Sequence, residues 1–216
     1  MAAKSPIIFW LKVGLWIGAL IPLGLTIYLL LSGGFIAGDP VEEIQHRTGK
    51  TALILLFLTL CVTPVRRLSG WNKVITFRRP LGLFAFFYST LHAFSYFVFD
   101  QQLSLAGIFS DVAEHPWVLV GFTAFVLLFP MAFTSTQGAI RRMGGKKWAL
   151  LHKLIYPISI LGVLHFLWQI KLDSSEPIIY AVILAVILSS RFLLKKPIGP
   201  GASSPPKPRT LNLNSS

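Results

Sequence analysis

Five histidines and one cysteine are the side chains in this sequence best suited to bind a metal or carry a proton near neutral pH. Three of them, His92, His152 and His165, stand in long apolar stretches. An ionisable side chain placed in hydrocarbon costs free energy, so each of the three is a functional candidate. Tyr88 and Tyr96 lie one turn either side of His92, on the same helical face. Gly162, three residues before His165, leaves space for a flat group. His46 and His115 sit among acidic residues and read as ordinary surface groups, His115 just ahead of Pro116 at a helix start. Cys61 is the only cysteine, so no intrachain disulfide forms and no cysteine-based metal spacing exists.

The elements that must carry these residues follow from composition. Of 216 residues, 54% are hydrophobic and 13% charged, which is more apolar surface than one soluble core of this length can hide. Residues 13–37, 81–99 and 116–133 contain no Asp, Glu, Lys or Arg. Each run is long enough to cross roughly 30 Å of hydrocarbon as a helix. The fold class expected is all-α, a membrane bundle of six transmembrane helices over 8–31, 49–65, 81–99, 117–134, 148–170 and 178–194. Residues 1–196 form that bundle, and the Pro/Ser/Asn-rich residues 197–216 read as a disordered tail. The N-terminal stretch is too long for a cleaved signal peptide and reads as a retained helix. Six Trp and seventeen Phe suit interfacial belts and packing.

Charge orients the bundle. The net charge of +12 does not indicate nucleic-acid binding, because the basic residues cluster at the ends of apolar segments. Arg66, Arg67, Lys73, Arg78 and Arg79 follow the second helix; Arg141, Arg142, Lys146 and Lys147 follow the fourth; Arg191, Lys195, Lys196, Lys207 and Arg209 follow or end the sixth. All eight acids, Asp39, Glu42, Glu43, Asp100, Asp111, Glu114, Asp173 and Glu176, fall in the alternate connections. Both termini and the basic loops are therefore expected in the cytoplasm of a bacterial cell, with the acidic loops outside the inner membrane.

On this topology His92, eight residues before Asp100, and His165, six before Lys171, lie at nearly one depth. Two neutral imidazoles at one depth on different helices can grip a haem iron from both axial sides. His152 is thirteen residues before His165, about 20 Å away along a helix, which suits a second haem level. Thirteen residues do not return to one face of an ideal helix, and Pro157 between them is where rewinding would occur. Arg78, fourteen residues before His92, cannot ligate iron but can hold a propionate or phosphate. For a single intramembrane histidine the plain alternative is an interhelical hydrogen bond.

Four segments together resemble one family. They are GDPVEEIQHRTGKTAL (38–53), RRPLGLFAFFYSTLHAFSY (78–96), FTSTQ (133–137) and KKWALLHKLIYPISILGVLHFLW (146–168). The sequence is similar over this span to the MsrQ (YedZ) family, haem-binding membrane subunits of a bacterial system that repairs oxidised methionine, with a ferric-reductase-like membrane domain. The resemblance implies haem b on His92, His152 and His165, one haem with a second possible, and binding of FMN. It implies a periplasmic molybdopterin methionine sulfoxide reductase (MsrP-like) as acceptor and quinol or a cytosolic flavin reductase as donor. Arg78 stands where the wider fold has a fourth histidine. An FMN phosphate would meet Arg78, Arg79, Arg141 or Arg142 at the cytoplasmic face. The chain is then an electron-transfer subunit, not a catalyst of sulfoxide reduction by itself. The alternatives are a free-standing ferric or quinone reductase of the same fold, or a non-redox scaffold or transporter whose histidines bind protons or substrate.

Overall fold

Capping chemistry, not hydropathy, sets where the second long helix begins. Asp39 accepts a hydrogen bond from the Val41 amide (2.8 Å), Pro40 takes the first helical position, and Glu42 and Glu43 fill the first turn. A carboxylate cap, a proline that needs no amide partner, and acids near the positive helix end all favour initiation there. Helix α2 thus runs Pro40–Ser69, starting nine residues before the apolar stretch at 49–65 that marks it in the sequence.

The computed structural model describes residues 6–34, 39–169 and 175–194. The tail expected over 197–216, with Lys171 and Asp173, lies outside the described residues. The other helices are α1 (Pro6–Ser32), α3 (Arg78–Ser95), α4 (Leu105–Glu114), α5 (Pro116–Phe133), α6 (Gln137–Met143), α7 (Gly145–Leu151), α8 (Ile155–Gln169) and α9 (Glu176–Leu193). No strand occurs among the described residues. Five helical segments are long and apolar enough to cross a membrane: Pro6–Ser32, Pro40–Ser69, Asn72–Asp100, Pro116–Phe133 and Gly145–Gln169. α9 is the sixth long helix, packed on α2 and α8.

Three departures from the expected boundaries matter. A 3-10 helix (Asn72–Phe77) leads directly into α3, so Arg78 is helical rather than in a loop. After Ser95 the helix widens to π geometry over Tyr96–Asp100. Gln102 and Leu103 then take left-handed φ values of 47° and 60°, reversing the chain into α4. α4 and α6 are additional short helices, capped by the Ser104 and Thr136 side chains.

The core sits where α2, α3 and α8 meet. Leu60 and Ser159 are wholly buried, with Ala85, Tyr88 and Ile158 at 1% exposure. Small residues such as Ala85 and Ser159 let helix backbones approach, which drives association where lipid offers no hydrophobic gain. Apolar side chains of α1, including Trp10, Ile17, Ile21 and Leu31, face outward.

Tyr88 does not face the histidines. Its hydroxyl inserts into α1 beside Pro22, donating to Ala19 O (2.6 Å) and accepting from Leu23 N (3.1 Å). This side chain takes the place of one rung of the helical ladder and pins α1 to α3. Tyr88→Phe is expected to lower stability by about 1 kcal/mol, because the Leu23 amide can close directly onto Ala19 once the hydroxyl is gone. A thermal melt in detergent reads this; an unchanged midpoint would show that the inserted hydroxyl contributes nothing.

Candidate cofactor site

His92 projects from the last turn of α3 and His165 from α8, and the two meet across the bundle. Their ring centres are 6.1 Å apart and their planes cross at 74°. The two rings thus stand opposite each other, edge to face, across the bundle. Two metal–imidazole bonds of about 2 Å, plus roughly 1 Å from each nitrogen to its ring centre, span about 6 Å. The separation would therefore allow both rings to bind one metal between them.

The rings are held by main chain. His92 Nδ1 donates to Gln45 O of α2 (3.0 Å), and His165 Nδ1 donates to Trp117 O of α5 (2.8 Å). A carbonyl can only accept, so each Nδ1 carries the proton and each Nε2 keeps its lone pair. Among the described residues no hydrogen bond engages either Nε2. An imidazole whose far nitrogen is tied to a carbonyl is oriented, locked in one tautomer and made more basic as a ligand.

Both rings line a cavity of about 980 Å³ between α2, α3, α5 and α8. Leu53, Leu56, Ala85, Phe125, Leu128 and Ile158 make its walls apolar. Gly162 is also on the wall; the side chain it lacks would meet Leu53 Cδ1 of α2 at 3.4 Å. The cavity admits a large flat apolar group with a central metal. Among the described residues no three of His, Cys, Asp or Glu gather as a bare metal-ion site.

One end of the cavity is acidic and polar. Gln45 Nε2 donates to Asp100 Oδ2 (2.7 Å), and the Tyr96 hydroxyl donates to Asp111 Oδ2. The other Asp111 oxygen is 2.7 Å from His115 Nδ1. Lys50 pairs with Glu176, and His46 Nε2 is 3.8 Å from the same carboxylate. His46 and His115 are therefore rim residues tied to acids. The acids expected in open loops are largely on helices, on the first turn of α2 and on α4.

His152 stands apart, toward the basic end. It begins a 3-10 turn (His152–Leu154) between α7 and α8, ahead of Pro157, whose ring removes the amide that Lys153 O would otherwise receive. Three residues at 3-10 pitch rewind the chain by about 60° relative to an ideal helix, bringing His152 nearer the phase of His165. His152 Nδ1 bonds Trp148 O (3.0 Å), and Trp148 stacks on the ring at 3.9 Å. Trp148 Nε1 donates in turn to Thr134 O at the end of α5 (2.9 Å). His152 Nε2 is buried and makes no hydrogen bond of good geometry, although the Met131 main chain also interacts with the ring. An orphaned ring nitrogen of this kind is costly unless something not made of protein fills its valence. Arg78 is its electrostatic neighbour, half-buried at the start of α3. Arg79, Arg141 and Arg142 are exposed.

The transmembrane pattern agrees with known proteins. Residues 48–163 match the family model described as ferric reductase like transmembrane component. A relative from Xanthomonas axonopodis pv. citri (strain 306) is 51% identical over 156 residues, 72% of this chain and 71% of its own length. It is named protein-methionine-sulfoxide reductase heme-binding subunit MsrQ. The chain belongs to the MsrQ family. Relatives of the same name from Herminiimonas arsenicoxydans (44% identical, 87% of each chain) and Xanthomonas euvesicatoria pv. vesicatoria (strain 85-10) (45%, 88% of this chain and 89% of the relative) extend the match over nearly the full length. It is a multi-pass membrane protein with the ferric-reductase-like helical domain shared by the MsrQ family.

The sequence reading missed the two carbonyls that anchor the histidines, Gln45 O and Trp117 O. Main-chain acceptors carry no residue-type signal, so no pattern announces them. α4 carried a signal that went unused: Ser104 as an N-cap followed by a short amphipathic run.

Proposed function

We propose that this MsrQ-family chain carries haem b on His92 and His165 and moves electrons across the inner membrane to a periplasmic methionine sulfoxide reductase of the molybdopterin, MsrP-like class. The observation that carries the reading is the opposed imidazole pair, 6.1 Å between ring centres, each ring tied by Nδ1 to a carbonyl. Bound there, a haem supplies reversible one-electron chemistry. The protein's part is to hold both rings in the ligating tautomer, so that His92 and His165 would together hold the group, and to exclude water with Leu53, Leu56, Phe125 and Ile158.

A second haem level rests on His152, whose unpartnered Nε2 and half-buried Arg78 neighbour suit a ligand nitrogen beside a propionate. The basic end faces the cytoplasm by the positive-inside asymmetry, so electrons enter near His152 and leave near the acidic rim. The donor is quinol or a reduced cytosolic flavin. FMN, if carried, meets its phosphate with Arg78, Arg79, Arg141 or Arg142. Replacing these arginines would then lower flavin content, and full retention would remove that assignment. Repair of one methionine sulfoxide consumes two electrons and two protons, so a one-electron carrier held here would have to act twice for each residue restored.

The purified chain is expected to show a Soret band that shifts on reduction, and a pyridine haemochrome assay should yield at least one haem b per chain. Reoxidation should follow addition of the periplasmic reductase with its sulfoxide substrate. A colourless, well-folded protein would overturn the proposal in favour of a scaffold or transporter. Rapid ferric reduction by the chain without any partner would favour the free-standing reductase.

A further inference from the structure

The two histidines that face each other are seated by the same device on two different helices. In α2 the accepting carbonyl belongs to Gln45, and the residue four positions on is Gly49. In α5 it belongs to Trp117, and the residue four positions on is Gly121. In an α-helix the carbonyl of residue i points at the amide of residue i+4. A ring from another helix reaches that carbonyl only by lying against the Cα of residue i+4. A Cβ at Gly49 would come 3.1 Å from His92 Nδ1 and 3.2 Å from its Cε1. A Cβ at Gly121 would come 2.7 Å from His165 Nδ1 and 2.8 Å from its Cε1, closer than real atoms approach. His152 is the internal contrast: its Nδ1 uses the carbonyl of its own helix, one turn back, and has no such glycine.

We infer that Gly49 and Gly121 are positioning residues of the cofactor site, each providing the bare helix surface on which one histidine lies so that its Nδ1 can reach the carbonyl of residue i. This rests on the reading of His92 and His165 as iron ligands. Of the two, Gly121 tolerates a side chain less, because its Cβ would come 2.7 Å from His165 Nδ1 against 3.1 Å from His92 Nδ1 at Gly49, and the His165 ring is tethered through that same nitrogen to Trp117 O.

The test compares Gly121→Ala, Gly49→Ala and Gly82→Ala in the full-length protein, using the monodisperse detergent fraction so that only folded chain is counted. Gly82 is the control: it is on α3 with His92, and its Cβ would find only Thr59 Cγ2 at 3.8 Å. Gly121→Ala is expected to lose about tenfold in haem per folded chain, the scale of removing a ligand's supporting contact. Gly49→Ala should keep haem but shift its midpoint potential and its low-spin electron paramagnetic resonance signature. Gly82→Ala should match the wild type. In a His165→Gly background rescued with free imidazole, adding Gly121→Ala should cost nothing further, since an untethered ring can move aside. Haem content, potential and spectrum all indistinguishable from Gly82→Ala would overturn the inference alone, provided His92→Ala and His165→Ala lose haem. A further loss in the imidazole-rescued background would overturn it too, by showing that the Cβ acts through helix packing. Retention of haem by both histidine variants would overturn the reading on which it rests, and the inference with it.

Discussion

His92→Ala and His165→Ala should each remove haem from the shared site, lowering the haemochrome yield there by on the order of tenfold or more. The loss follows from the geometry. Each ring supplies one of two axial bonds, and the opposite ring is fixed by its own carbonyl, so neither side can move in to compensate. The cavity walls formed by Leu53, Leu56, Phe125, Leu128 and Ile158 are apolar, and the histidines and tyrosine at its polar end, His46, His115 and Tyr96, are engaged with acids. What little haem remains should be five-coordinate, and its spectrum should shift toward high spin. His152→Ala provides the contrast. It removes a buried nitrogen that makes no hydrogen bond but also the Nδ1 bond to Trp148 O and the stacking on Trp148, so stability should fall by about 1 kcal/mol while the low-spin signal of the paired site should persist. Haem stoichiometry and optical spectra of the three variants check the outcome. Equal loss in all three would contradict the assignment of His92 and His165 to one iron.

Arg191→Met should be the most destabilising single change outside the cofactor site. Pro64 lies inside α2 and has no amide, which leaves Leu60 O without its usual helical donor. Arg191 of α9 supplies the missing donors, from Nε at 3.2 Å and Nη2 at 2.9 Å. The same guanidinium bonds Thr63 Oγ1 (2.7 Å) and the Tyr156 hydroxyl (2.5 Å), and sits 5.3 Å from the Tyr156 ring centre. One cation thus ties α9 to α2 and α8 where Leu60 is fully buried. Methionine keeps the apolar stem and leaves the carbonyl unsatisfied, costing about 3 kcal/mol, the scale of losing charged hydrogen bonds at a buried acceptor. The thermal midpoint in detergent should fall accordingly. Adding Pro64→Ala restores an amide to Leu60 O, so the double variant should recover part of the loss. No recovery would place the role of Arg191 in its tyrosine and threonine contacts instead.

These two sites differ in how far they can be read from residue order. His92 and His165 were legible because charge-free runs locate helices, and counting from Asp100 and Lys171 places two imidazoles at one depth. Arg191 was legible only as one more basic residue at the end of a span. Its bond to Leu60 O depends on a proline more than a hundred positions away, and no local pattern links them. Tyr88 shows the same limit. Spacing put it on the face of His92, yet its hydroxyl serves α1, because Pro22 had opened a place for it there.

Residue order alone determined the membrane class, the long helices, the separation of basic from acidic ends, and the equal depth of His92 and His165. These follow from hydropathy, charge and a fixed rise per residue, all local quantities. Only the tertiary structure decided that the two rings face each other, that Gln45 O and Trp117 O hold them, that His152 is rewound by a 3-10 turn, and that short helices cap the rim. Those outcomes depend on main-chain acceptors, helix rotation and close backbone approach. None of these is written in residue type, because each arises only when distant segments pack.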